Sequence, residues 1–294
     1  MSGSRGIALI SVLWVTTLLA VLAAGLASSS RTEVVLARNQ LANAKAEALA
    51  DAGVFRAIMG LLDFDPTTGW RASKAVRRIN FEDGMVRLAI EDEEAKIDLN
   101  VAPLELFAGL LRALGMADEP ALVLADRLGD FRDPDDEPLP LGAESAAYAD
   151  AGLPHGPKNG PMIATSELLQ MLGMTPELYD RLRPHVTVFS GSEGIDPLYA
   201  SRTVLAAVPG MTPELVEAFA AAGPEDDPFS EVTDDEALFD AEVYFLFSRE
   251  VIYNVRAEGR SAEGGVFVRE AVIDLGGDAG RPYRVLAWRR GNSF

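Results

Sequence analysis

The chain has 294 residues, a formal net charge of −19 and no cysteine. That length can hold two compact domains beside an anchor, and the missing cysteines exclude disulfides, thiolate metal sites and cysteine nucleophiles. A body this acidic repels nucleic-acid phosphates and anionic lipid headgroups, while it can attract divalent cations.

At the N-terminus no charged residue occurs from Gly6 through Ser30, and the run stays apolar to Leu26. About 20 apolar residues in a helix suffice to cross a hydrocarbon core of about 30 Å. The run is compatible with a plain anchor. It is also compatible with a removable secretory signal, for which Gly25-Leu26-Ala27 offers small residues, although it exceeds the usual apolar region of about 7–15 residues. A third reading is a prepilin leader, in which Arg5 and Gly6 abut the helix and cleavage falls between Gly6 and Ile7. Flanking charge does not orient the segment, because Arg5 and the N-terminal amine face Arg31, Arg38 and Lys45 on the other side. Further on, Leu41, Ala48, Ala52, Phe55, Met59 and Leu62 recur at helical spacing, and no proline precedes Pro66. This pattern predicts one long helix from Ile7 to about Leu62, apolar all round in its first half and amphipathic in its second. The second half needs a sheet or other helices to cover its stripe.

Asp65-Pro66-Thr67-Thr68-Gly69 is a turn cluster, and Met85–Glu91 reads as a strand, the first of a sheet. From Ile97 the pattern turns helical, with short candidates over Leu104–Leu114, Glu119–Arg132, Thr165–Leu172, Pro176–Leu182, Ala200–Ala207 and Pro213–Ala222. Within this region Met171-Leu172-Gly173-Met174-Thr175-Pro176-Glu177-Leu178 is echoed by Val208-Pro209-Gly210-Met211-Thr212-Pro213-Glu214-Leu215. Glycine permits the reversal, threonine caps the following helix and proline suits its first position. Each unit therefore reads as a helix–turn–helix hairpin. Such hairpins can bind DNA phosphates, but neither turn carries Lys or Arg, so the packing role is preferred.

Between the helical candidates Asp126, Asp130, Asp133, Asp135, Asp136, Glu137 and Glu144 crowd a loop stiffened by Pro134, Pro138 and Pro140. These carboxylates repel one another unless solvated or neutralised, and hard oxygen donors of this kind suit calcium. The span from Asp133 to Glu144 has EF-hand length, but Pro138 stands where that motif needs glycine. A merely solvated acidic loop is the alternative. A second acidic run, Glu225–Glu236, reads as a solvated linker. His155 and His185 are the only histidines and lie far apart, and no nucleophile elbow is present, so no catalytic site is expected. Strand patterns return with alternation at Val251, Tyr253 and Val255, then Val266–Ile273 after Gly264-Gly265, and Tyr283–Trp288. They predict an antiparallel meander that pairs with the Met85 strand and covers the helix.

Arg5-Gly6-Ile7-Ala8-Leu9 with Val12-Leu13-Trp14-Val15, Arg31-Thr32-Glu33, Ala37-Arg38-Asn39 and Ala46–Gly53 resemble the minor pseudopilin K family of bacterial type II secretion systems. The resemblance implies an α+β pilin-like fold: a long N-terminal transmembrane helix packed on an antiparallel sheet, interrupted by a large all-α insertion with SAM-like helix-hairpin-helix units. The expected divisions are a leader over 1–6, a membrane segment over 7–30, the half-helix and first strand over 31–96, the insertion over 97–245 and the final strands over 246–294. It implies a non-enzymatic subunit capping or initiating the pseudopilus tip. It also implies cleavage by prepilin peptidase, possible methylation of Ile7, and single-pass anchoring in the inner membrane with a periplasmic body. The expected partners are minor pseudopilins of the I and J families, the major pseudopilin and the inner-membrane platform, with no nucleic acid. Asp130, Asp133, Asp135, Asp136 and Glu144 resemble the family's calcium motif. Most pseudopilins carry Glu at the fifth mature residue; Ser11 stands there in this chain, a departure shared by the K family that points to the topmost position. The competing expectation is an anchored or secreted calcium-dependent binding domain with no part in a pilus.

Overall fold

A computed structural model describes residues 5–63, 65, 67–222, 241–246, 251–277 and 280–291, without the side chains of 5–7, 25–32 and 74. Residues 1–4 of the expected leader and the acidic run Glu225–Glu236 lie outside the described residues.

Helix α1 (Arg5–Leu61) is continuous. Strands β1 (Ser73–Phe81) and β2 (Gly84–Asp92) follow as a hairpin. The chain then leaves the sheet for β3 (Ile97–Asp98), α2 (Leu104–Ala113), α3 (Asp118–Arg132), α4 (Ser145–Asp150), α5 (Pro176–Leu182), β4 (Val186–Thr187), α6 (Arg202–Leu205) and α7 (Pro213–Ala221). It returns with β5 (Ile252–Ser261), β6 (Val266–Asp274) and β7 (Arg284–Arg290). The five long strands form one antiparallel sheet in the order β1-β2-β5-β6-β7, so the strand before the helical segment pairs directly with the strand after it.

Three expectations need correction. The sheet begins with β1, not with the Met85 strand. The described side chains of β1 are almost all exposed, as suits an edge strand, so it shows no buried alternation. The segment expected to be all-α contains a two-residue parallel ladder, Ile97 to Val186 and Asp98 to Thr187, too short to leave a period in sequence. The helical candidate at Thr165–Leu172 is helical, wound as a 3-10 helix over Thr165–Gln170.

The largest correction concerns the buried face of α1. Leu41, Phe55 and Met59, placed on the buried stripe by their spacing, are 58, 49 and 68 % exposed. The face on the sheet is instead built from Ala42, Ala46, Leu49, Ala50, Val54, Ala57, Ile58 and Leu61. Small residues win because the helix lies very close to the sheet. A Cβ added at Gly259 would sit 2.2 Å from the Ala46 carbonyl oxygen, and one at Gly265 would sit 2.2 Å from that of Ala42. Below them Val86, Leu88, Ile90, Val255, Ala257, Ala271 and Ile273 complete this core. Arg269 on β6 holds the helix in register by reaching Asp51 at 2.6 Å and Glu47 at 2.7 Å.

The helical segment has its own core, in which Leu106, Phe107, Leu110, Leu128, Phe131, Tyr148 and Leu168 are almost fully buried. The two echoed hairpins use the same turn. Gly173 and Gly210 take φ of 88° and 85°, values that glycine adopts without strain. Thr175 Oγ1 accepts from Leu178 N–H at 3.2 Å and Thr212 Oγ1 from Leu215 N–H at 3.3 Å. Charge is divided unevenly. Residues 97–245 hold 7 of the 26 Lys and Arg but 28 of the 45 Asp and Glu, a formal charge of −21, leaving +2 for the rest of the chain.

Among the described residues no helix is long and apolar enough to cross a membrane. The described side chains over 8–24 are exposed throughout, and those of 25–32 are outside the description.

Candidate metal centre

The acidic loop is framed by two helices. The last turn of α3 delivers Asp130, and Asp133 follows as its C-cap. At the far end of the loop Glu144 stands immediately before α4, and its side chain makes no capping hydrogen bond. Asp130 is completely buried; its Oδ1 accepts from Leu139 N–H at 3.0 Å. Gly142 folds over this carboxylate so closely that an added Cβ would sit 1.9 Å from Asp130 Oδ2. Asp126 is used differently: its Oδ2 accepts from Leu141 N–H at 3.0 Å and shapes the loop.

Five buried oxygens here have no hydrogen-bond donor: Asp130 Oδ2, Asp133 Oδ1, both carboxylate oxygens of Glu144, and Asn159 Oδ1. Buried polar atoms without partners are costly and need an explanation. Asp133, Asp135 and Glu144 each bring one oxygen within 4.8 Å of the others. Of the residues singled out in sequence, Asp133, Asp135 and Glu144 thus come together, the buried Asp130 lies near enough for its charge to act on Asp133 and Glu144, and Asp136 is exposed and acts on Glu144 through its charge. Asn159 was not among the sequence candidates. It takes φ of 51°, donates from Nδ2 to the Asp135 carbonyl at 3.0 Å and from its N–H to the Phe131 carbonyl at 3.1 Å. Its signal in sequence was the Asn-Gly pair inside a Pro-rich loop, which marks a left-handed turn.

The electrostatics agree with the geometry. Burial, followed by the charges of Asp130, Asp133, Asp136 and Asp135, pushes the Glu144 carboxyl up to about 7. Burial and the neighbouring Asp135 and Asp130 also raise Asp133. Arg132 offsets only a small part of this at Asp133, because its guanidinium donates to the carbonyls of Leu99 and Ala102, both at 2.9 Å. All the donors are hard oxygens from carboxylates and one amide, a set that fits calcium.

A single long helix laid along an antiparallel sheet, with a helical segment inserted between adjacent strands, is the architecture of a pilin-like subunit. A family model described as type II secretion system protein K matches residues 78–191. Type II secretion system protein K of Klebsiella pneumoniae is 27 % identical over 298 residues, spanning 95 % of this chain and 83 % of that protein. The protein K of Pseudomonas aeruginosa is 30 % identical over 242 residues, spanning 74 % and 72 %. In a solved GspK–GspI–GspJ complex from enterotoxigenic Escherichia coli, the matching chain has a TM-score of 0.64 at 20 % identity and covers 90 % of this chain and 100 % of its own. The chain belongs to the type II secretion system protein K family and is a minor pseudopilin of that system.

Proposed function

We propose that this subunit caps or initiates the tip of the pseudopilus, with residues 7–30 in the inner membrane, the body in the periplasm and minor pseudopilins of the I and J families as its neighbours. The observation that carries the reading is α1. Its first half is uncharged and its described side chains over 8–24 are exposed, and its second half still shows Leu41, Phe55 and Met59 to solvent after docking on the sheet. An apolar helix face left open beside a completed core fits a helix packed among other helices. Ser11 carries no carboxylate at the fifth mature position, which suits a subunit with no earlier one to dock beneath, and the helical segment adds bulk above. The division at 97–245 and the SAM-like character of the paired hairpins belong to this reading, with the hairpins acting in packing alone.

Processing by prepilin peptidase follows from the same reading. Mass spectrometry of the mature protein should find Ile7 as the N-terminus, N-methylated. A terminus at Met1 or Ser28 would overturn the assignment.

The same proposal includes calcium. Asp130, Asp133, Asp135, Glu144 and Asn159 would hold the ion, with Asp136 contributing charge from the surface. The ion would neutralise the crowded carboxylates, and these residues would then tie the end of α3, the acidic loop, the start of α4 and the Asn159 turn into one unit.

A further inference from the structure

The sheet ends on one side at β1, whose ladder runs only to β2. In an antiparallel pair alternate residues turn their N–H and C=O away from the partner, so this edge offers backbone groups to another extended chain. Ser73–Phe81 contains no acidic residue. Its central charges lie on both faces. Arg77 stands opposite the buried Leu88 and therefore on the face toward α1. Its guanidinium carbon is 5.0 Å from the centre of the Trp70 ring, and that of Arg56 on α1 is 4.6 Å from the same ring. Arg78 stands opposite Arg87 on the other face, where Arg87 already shares the buried Glu258 with Arg260. Like charges directly opposite weaken a ladder.

Arg56, Arg77 and Arg78 are exposed, and among the described residues none of them pairs with a carboxylate. The acids nearby in sequence are engaged elsewhere. Asp63 accepts from the Thr68 hydroxyl at 2.8 Å, Asp65 from the Thr67 N–H at 2.8 Å, and Asp83 pairs with Lys45 at 3.9 Å. Charge on an edge guards it against indiscriminate pairing. Here the guard has one sign and is not neutralised, so it also selects for a strand that brings carboxylates.

We infer that β1 is the docking edge for an acidic extended segment of a different protein, which adds as a further strand. Two adjacent carboxylates of that segment meet the arginines, one beside Arg77, Arg56 and Trp70, the other at Arg78. Successive side chains of a strand point to opposite faces, so neighbouring acids are what this placement requires. A free anion cannot use the backbone donors and acceptors of the edge, whereas an added strand uses both. The sheet of a second copy does not fit either. Its edges are β1 again and β7, and Arg284–Arg290 also lacks an acidic residue. The inference uses neither the metal centre nor membrane insertion, so its failure would leave the proposed function standing.

The test uses the full chain purified in detergent and a fluorescein-labelled Thr-Val-Asp-Glu-Val-Thr amide, followed by fluorescence anisotropy. Replacing the two acids of the peptide by Asn-Gln should weaken binding about tenfold, and Arg77→Gln and Arg78→Gln should each weaken it about threefold, the scale of exposed ion pairs. Arg290→Gln, which removes the same charge from the β7 edge, should leave the affinity unchanged. N-methylation of one alternate set of peptide amides should abolish binding, while methylation of the other set should be tolerated. Equal tolerance of both sets would overturn strand addition. A loss with Arg290→Gln equal to that with Arg78→Gln would overturn the placement on β1. No binding of the acidic peptide up to about 1 mM, the weak end of specific affinity, or equal binding of its Asn-Gln form would overturn the acidic occupant. Self-association of the chain that Arg78→Gln abolishes would overturn the choice of a different protein.

Discussion

Glu144 gives the acidic cluster its pH signature. Its carboxyl is pushed up to about 7 in the folded chain, above its ordinary 4.5, with burial the main cause and the surrounding carboxylates next. Between those values the folded state holds a proton that the unfolded state has released. The stability tied to the neutral acid is therefore complete below about 4.5 and is lost as pH rises through about 7. On the scale of about 1.4 kcal/mol per pKa unit this amounts to roughly 3 kcal/mol. Melting of the calcium-free protein should fall over that window, and Glu144→Gln should flatten the fall. Calcium favours the ionised carboxylates, so at pH 7.5 it should raise the melting temperature; a ligand at a hundred times its Kd adds about 2.7 kcal/mol. Replacing Asp133, Asp135 and Glu144 together with Ala should abolish the calcium shift, as differential scanning calorimetry with and without EGTA would show. An unaltered shift would place the ion elsewhere.

At the scale of elements, the contact between α1 and the sheet separates two kinds of position. Gly259→Ala and Gly265→Ala would drive a methyl into the backbone of α1 and should each cost about 1–3 kcal/mol, the usual range for overpacking a tight contact. Leu41→Ser and Met59→Ser lie on the open face and should leave melting within about 0.5 kcal/mol, whereas Phe55→Ser also loses a ring contact with Trp288 at 5.8 Å and should cost about 0.5–1.5 kcal/mol more. They should instead reduce co-purification with the other minor pseudopilins; retention of full co-purification would show that this face is not the assembly surface. The existence of the helix was legible, since a long run without proline or charge has few alternatives. Its buried side was not. Spacing pointed to Leu41, Phe55 and Met59, whereas the distance of approach rewarded alanine and glycine, a property shared with the β5–β6 hairpin that the helix sequence does not reveal by itself. The late strands were legible because the Gly264-Gly265 turn and the alternation around it are local. β1 was hidden by its exposure. In the acidic loop, the acids announced themselves by crowding, but Asn159 joins them through a turn whose placement depends on Asp135 and Phe131.

At the scale of the molecule, sequence composition gave a single acidic body, and the fold shows two electrostatic characters on one chain. The sheet and its helix are close to neutral, with Lys45 paired to Glu263, Arg269 to Asp51 and Arg289 to Glu270. The helical segment carries the excess. Two cores, one under α1 and one between α2, α3 and their neighbours, allow this division, because neither needs the other's charges to close. Polar contacts bridge them: Asp196 donates its N–H to the Glu94 carbonyl at 2.9 Å, and the Thr187 hydroxyl donates to the Glu93 carboxylate.

The pairing of β2 with β5 has a consequence for the order in which the molecule folds. β1 with β2, β5 with β6 and β6 with β7 are joined by short connections, and each pair can form as soon as its own stretch exists. The centre of the sheet cannot, because residues 93–251 separate Asp92 from Ile252. Closing so long a loop while it is unstructured carries the largest entropic penalty in the chain. The helical segment lowers that penalty by condensing on its own core, which draws its two ends together. The expected order therefore has the inserted segment folding before β2 closes on β5, and pulsed hydrogen exchange during refolding should protect the amides of α2 and α3 before those of β2 and β5; simultaneous protection would overturn it.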